Sequence, residues 1–311
     1  MRVGVTGSTG FIGSALVGAL RERGDDVVRF VRPSSPAQGD DVIRWDPAAQ
    51  HVDDRDLQRV SGFDAVVHLA GAGIADRRWS PARKEELLRS RTASTTLLVA
   101  ALASMPAGTS VLASGSAIGY YGSRGGEQLD ESSPAGHDFL ARLCTEWEAG
   151  AAGLRERGAA VAALRTGIVL DDAGGALKKQ LPLFRLGLGG TLSSGRQWLS
   201  PISLVDEVRA ILWVIDHRLD GPVNLVCPTP QTNKDFTKNL AASLHRRAVV
   251  KIPAVALKAV LGRQLATEAV LASQRVLPRR LSESGFVFKH PDGPSIIPAA
   301  IHAQSAVKTA K

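Results

Sequence analysis

A chain of 311 residues, 44% apolar and 22% charged, has the composition of a soluble globular protein, long enough for one large α/β unit with a smaller lobe. Its two cysteines, Cys144 and Cys227, exclude a disulfide framework and point to reduced thiols in a reducing compartment. The net charge of +8 is scattered, with short clusters such as Arg77-Arg78 and Arg246-Arg247 that no aromatic residues interleave. A nucleic-acid partner is therefore not expected, and a basic surface that attracts phosphate-bearing small ligands is.

The first residues, Met1-Arg2-Val3-Gly4-Val5, lack the basic region and apolar core of a signal peptide. No run reaches the roughly 18 apolar residues of a membrane span. A cytoplasmic protein with no membrane partner is expected.

Val3–Thr6 reads as a buried strand, followed by a glycine turn. Phe11–Arg23 then places Ile12, Leu16, Ala19 and Leu20 on one helical face, and Gly24 ends it. Strands are expected over Val27–Val31, Val42–Trp45 and Ala65–Leu69. Ser80-Pro81 opens a helix, serine as N-cap and proline at the first helical position, running through Arg91 to Ala103. Thr109–Ser114 is a fifth strand, Phe139–Arg157 a helix with Asp138 as its N-cap, and Ala160–Leu164 a sixth strand. This alternation predicts a Rossmann-like parallel sheet with helices on both faces.

Beyond Leu170 the elements shorten. Val205–Ile215 and Lys234–Leu244 read as helices, Val223–Val226 as a strand, and Pro253–Leu261 and Thr267–Ser273 as short helices. The expected organisation is a dinucleotide-binding domain over 1–170 to which 200–226 returns. A smaller substrate lobe takes 171–199 and 227–302, and a frayed tail 303–311.

The stretch Val3 to Gly13 is strand, turn and helix, the context that a glycine-rich dinucleotide site requires. Gly7 permits the tight turn, Gly10 lets backbone approach a diphosphate, and Gly13 lets the helix pack on the sheet. Thr9, Phe11 and Ile12 complete the turn, whose ligand would meet the positive end of the helix. Where an acidic residue at the end of the second strand would select NAD, this chain has Val31-Arg32. Arg32 suits a 2′-phosphate, so NADP(H) is the expected cofactor, with Arg29 an alternative contact.

The pattern Thr6-Gly7-x-x-Gly10-x-x-Gly13 resembles the extended short-chain dehydrogenase/reductases of the NAD-dependent epimerase/dehydratase superfamily. Leu69-Ala70-Gly71, Ser90-Arg91, Ser116 to Gly122, Trp147-Glu148, Arg165 to Leu170, Gln197-Trp198 and Gln274 to Pro278 resemble its atypical "epimerase family", cell-division-inhibitor-like branch. The resemblance implies that Leu69, Ala70, Gly71 and Arg91 flank the adenine-ribose side, with Arg91 where relatives carry asparagine. It sets Glu86 one turn earlier, facing the adenine or paired with a nearby arginine, and Ile168 and Val169 near the nicotinamide.

The same resemblance implies a catalytic Tyr four residues before a Lys, with a Ser polarising the substrate. Ser116 matches the serine, but Leu140 and Cys144 stand at the Tyr and Lys positions. Candidate substitute proton donors are Tyr120 and Tyr121, for which packing or capping the turn is the favoured reading, then Cys144, more simply a buried inert thiol, and His137 and Asp138, more simply a helix start. Gln197 and Trp198 are candidate pocket residues, and turn capping explains Asn224 and Asn233. No histidine or cysteine spacing suggests a metal site. The expected function is an NADP(H)-dependent oxidoreductase or epimerase-like protein of unknown substrate, monomeric or homodimeric; a non-catalytic NADP(H) sensor is the alternative.

Overall fold

The structure, a computed structural model, describes residues 1–308, and side chains only as far as Ile301; of the tail expected to fray over 303–311, residues 303–308 belong to the last helix and 309–311 lie outside the described residues. Eight strands form the central sheet: β1 (Arg2–Thr6), β2 (Asp26–Val31), β3 (Val42–Asp46), β4 (His51–Val52), β5 (Gly62–His68), β6 (Gly108–Ala117), β7 (Ala160–Thr166) and β8 (Gly221–Leu225). Their order is β8-β7-β6-β5-β1-β2-β3-β4, parallel throughout except for the antiparallel β3–β4 edge. The longer helices are α1 (Phe11–Glu22), α2 (Pro81–Ser104), α3 (Phe139–Ala151), α4 (Gly175–Arg185), α5 (Leu204–Asp216), α6 (Asn233–Ser243), α7 (Ala254–Leu261) and α8 (Gly293–Lys308).

Near-continuous apolar runs put side chains on both faces of the parallel strands, and each face has its own helical cover. On one, Leu16 and Leu20 of α1 and Ile211, Val214 and Ile215 of α5 pack against Val3, Val5, Val67 and Leu164. On the other, Leu98 and Leu102 of α2 meet Phe30, Ile43, Val66 and Leu112. Burying each such side chain contributes about 1.5–3 kcal/mol before chain entropy is charged against it. The helix expected over Phe139–Arg157 relaxes after Ala151 into a 3₁₀ stretch, Ala152–Arg157, ended by the left-handed Gly158.

A third core cluster joins Leu177, Leu181 and Phe184 of α4 to Phe236 and Leu240 of α6 and Ile296, Ile297 and Ile301 of α8. Asp206 stitches this region to the sheet: fully buried, it accepts from the backbone N–H of Lys289 (3.0 Å) and His290 (2.8 Å) and from Arg209 (2.6 Å). The helix expected over Thr267–Ser273 is instead a single π turn, Ala266–Val270. Ser273 then turns away to donate its hydroxyl to the Gly125 carbonyl, which breaks the pattern. Among the described residues no helix is long and apolar enough to cross a membrane.

Glu207 of α5 is wholly buried, with Thr166 Oγ1 donating to Oε1 (2.8 Å) and, among the described residues, no partner for Oε2. Burial pushes its carboxyl up to about 8, so the folded protein holds it neutral at pH 7. The unfolded chain ionises it above about 4.5, so its presence costs stability progressively as pH rises from about 5 to 8. The Tm of Glu207→Gln relative to the parent should therefore climb across that window, checked by calorimetry at pH 5 and pH 8.

Candidate functional site

The carboxyl ends of β1, β5 and β6 converge on the glycine turn. Gly7 has φ of +65°, and a Cβ there would lie 2.8 Å from the carbonyl carbon and oxygen of Leu69. A Cβ on Gly13 would lie 2.1 Å from the Gly7 carbonyl oxygen, so α1 can start this close to β1 only as glycine. At Gly10, whose N–H donates to the Gly7 carbonyl (2.9 Å), an added Cβ meets only that oxygen, at 3.1 Å. Its outer side is open.

Helix α1 begins without a side-chain cap and without an acidic residue in its first turn. By contrast Ser80, Asp138, Ser203 and Thr232 each cap their helix by accepting a backbone N–H. Among the described residues the amides of Phe11, Ile12 and Gly13 find no acceptor, which leaves a positive helix end beside exposed Thr9 and Gly10. These residues fit a diphosphate: the amides supply donors and the bare glycines supply room.

Thr6 Oγ1 accepts from the N–H of Leu69 and of Ala70, both at 3.1 Å, and therefore gives its own proton to His68 Nδ1 (2.7 Å). That leaves Nε2 as the protonated nitrogen, directed at Thr95 Oγ1 (3.1 Å). Burial, with Arg91 nearby, holds His68 down to about 3, so the ring is neutral. This chain of contacts fixes the strand end Leu69-Ala70-Gly71 against Gly7.

Arg32 follows β2 and is exposed; no ion pair engages it among the described residues, whereas Arg29 is paired with Asp41 at 2.8 Å. Val31 beside it is buried. Glu86 is bound by Arg77 and Arg83, each at 2.7 Å, so the salt-bridge alternative is the one observed. Arg91 is buried under Gly71, donating to the carbonyls of Leu87 and Ala72 (3.0 Å each) and lying 4.9 Å from the Trp147 ring. It has no carboxylate partner among the described residues, and burial lowers its pKa to about 10. It supports the loop from below rather than presenting a free guanidinium to solvent. Phe11 packs against Gly174 and Gly175 at the start of α4, where a Cβ on Gly174 would fall 2.3 Å from its ring. Ile168 is half-buried on the strand leading there, and Val169 belongs to the core.

The catalytic candidates form a polar chain that ends in the interior. Ser116 Oγ donates to Glu148 (2.6 Å), and Arg165 holds both oxygens of Glu148 (2.9 Å each). Arg165 also donates to Tyr121 Oη (3.0 Å), which donates to Asn224 Oδ1 (2.7 Å). Tyr121 is fully buried and desolvation pushes its phenol up to about 12, which removes it as a proton donor to a ligand. Tyr120 is half-buried with its ring stacked 3.4 Å from the Arg165 guanidinium. Cys144 is buried, and desolvation pushes its thiol up to about 12, so it is no nucleophile. Asn224 proves to be a buried strand residue inside this network rather than a turn cap. Asp138 caps α3 by accepting from Ala141 (2.9 Å).

Across the lobe, Trp198, Gln197, Arg196, Ser194, Gly126 and Ser273 line part of a cavity of about 380 Å³. Gln197 is mostly structural, its side chain donating to the Leu192 carbonyl (3.1 Å), while the Trp198 ring carries Arg275 4.3 Å from its centre. Asn233 accepts from the Leu192 N–H (2.9 Å) and so holds the same turn.

A doubly covered parallel sheet with an uncapped glycine turn at its carboxyl edge defines a Rossmann-like nucleotide-binding fold. Residues 3–143 match the NAD dependent epimerase/dehydratase family and residues 252–296 a domain of unknown function, DUF1731. An epimerase family protein of Mycobacterium bovis is 44% identical over 93% of this chain and 93% of its own length. The human epimerase family protein SDR39U1 is 35% identical over 94% of this chain and 97% of its own. The crystal structure of human SDR39U1 (isoform 2) with NADPH superposes with a TM-score of 0.85, at 33% identity over 96% of this chain and 99% of that one. The chain belongs to this epimerase family, with an extended short-chain dehydrogenase/reductase fold.

Removing Glu148 strands the Arg165 cation in the interior. Glu148→Ala should lower stability by about 3–5 kcal/mol, and Ser116→Ala by about 1 kcal/mol, read from urea unfolding midpoints. Equal losses would mean that the ion pair does not organise this site.

Proposed function

We propose that the chain binds NADP(H) on the Gly7–Gly13 turn and acts as an NADP(H)-dependent oxidoreductase or epimerase-like protein. The observation that carries this reading is the uncapped start of α1 beside glycines that leave its amides open. The amides of Phe11, Ile12 and Gly13 would hold the diphosphate, Arg32 the 2′-phosphate, and Leu69, Ala70 and Gly71 would border the riboses. The human relative crystallised with NADPH supports the choice of cofactor. When bound, the nicotinamide supplies hydride chemistry.

The chain's own acid–base machinery differs from the Tyr-Lys arrangement. Because Ser116 gives its proton to Glu148, its oxygen faces a ligand as an acceptor. It is suited to take a proton from a substrate hydroxyl while passing its own to the Glu148 carboxylate, which Arg165 keeps oriented. Trp198 and Arg196 would border the substrate. A non-catalytic NADP(H) sensor is the second reading, favoured by Leu140 and inert Cys144 at the Tyr and Lys positions.

Fluorescence titration with NADPH and NADH tests the cofactor assignment. NADPH should bind more tightly, and Arg32→Ala should weaken it about ten- to a hundredfold while leaving NADH unchanged. Equal affinities would move the 2′-phosphate contact away from Arg32, and no binding of either would overturn the reading. A screen of carbonyl and sugar-nucleotide substrates with NADPH separates enzyme from sensor. Turnover that survives Ser116→Ala would refute the placement of the acid–base group.

A further inference from the structure

Seven of the ten large hydrophobic side chains exposed among the described residues fall in two short segments, 183–188 and 249–260. Leu186 (72% exposed), Val249 (79%) and Val255 (77%) are the most prominent. The segments are neighbours: Gly190–Leu192 pairs in parallel with Val250–Ile252, and Arg246 Nε donates to the Arg185 carbonyl (2.9 Å). Helix α7, sequence AVALKAVL, is the extreme case, since none of its eight residues is buried. Its far end is tied down by Arg78, which donates to the Val260 carbonyl (2.8 Å). The helix is thus anchored through its backbone, with Leu257 and Leu261 half-buried and Val255 and Val260 left exposed.

The charge around this surface is of one sign. Residues 175–192 and 246–265 contain eight lysines and arginines, all exposed, and no aspartate or glutamate. Among the described residues only Lys179 has an acidic neighbour, Asp76 at 3.7 Å. Exposed aliphatic groups fringed by uncompensated cations are what an anionic interface attracts: the apolar groups enter the acyl boundary and the cations stay with the headgroups.

From this juxtaposition we propose that the face formed by the end of α4, the segment 246–252 and α7 docks on an anionic lipid surface. A second copy of the chain is disfavoured, because pairing the face with itself would oppose its own lysines and arginines. A folded acidic partner is disfavoured, because the cavities beside Trp198 and beside Tyr121 draw their lining from other residues and α7 buries none of its own. The proposed association is peripheral, since no helix among the described residues is long and apolar enough to cross a membrane.

The test is co-sedimentation of the full chain with vesicles of phosphatidylcholine alone and of phosphatidylcholine mixed with phosphatidylglycerol. Binding is expected to the mixed vesicles only and should weaken as salt is raised. Val255→Asp/Val260→Asp and Lys251→Glu/Lys258→Glu should each reduce it by at least about tenfold. All four positions are exposed, so unchanged melting curves should show the variants to be folded. Failure to bind mixed vesicles, equal binding to neutral ones, or undiminished binding by the folded variants would overturn the proposal. So would concentration-dependent dimerisation that Val255→Asp abolishes, which would place a second copy on the face.

Discussion

The structure rests on one close approach, the packing of the Gly7–Gly13 turn against the end of β5. Gly7 sits so near the Leu69 carbonyl, and Gly13 so near that of Gly7, that one methyl group at either point would drive strand and helix apart. That proximity brings the start of α1 to the carboxyl edge with its amides unspent. Thr6 and neutral His68 lock the other side of the contact through hydrogen bonds that only one tautomer satisfies. Phe11 carries the constraint onward by wedging beneath Gly174 and Gly175, so the lobe's first helix is positioned by the same turn.

Where the family resemblance implies a Tyr and a Lys, this chain has apolar packing around Leu140 and Cys144, with a buried ion pair beside it. Leu140 packs near Gly119, and the Cys144 thiol lies in the cluster of Leu87, Phe139 and Trp147. The polar network there runs through Ser116, Glu148 and Arg165, with Tyr121 and Asn224 closing the interior side. Such a network is stable only when every member is paired, which explains why Tyr121 is committed to structure.

Much of the nucleotide-binding half was legible in the sequence because its signals are local. Val3–Thr6 and Val27–Val31 are apolar runs bounded by breakers, and Ser80-Pro81 and Asp138 cap the helices they seemed to cap. Helix α4 was hidden: Gly174-Gly175 and Pro182 read as breakers, although Leu177, Leu181 and Phe184 repeat at helical spacing. Pro298 hid α8 in the same way. The Glu148–Arg165–Tyr121–Asn224 chain had no spacing to betray it, because its members come from separate elements that only the fold assembles. Arg91 was legible as unusual but not as buried, since its partners are backbone carbonyls rather than acidic side chains.

Amide hydrogen exchange over residues 8–16, with and without NADPH, probes the unspent helix start most directly. Exchange at Phe11, Ile12 and Gly13 should be fast in the free protein and slow sharply when the dinucleotide is added, with the interior of α1 unchanged. Amides already protected in the free protein, or unprotected at saturating NADPH, would contradict the view that this turn is built around a diphosphate.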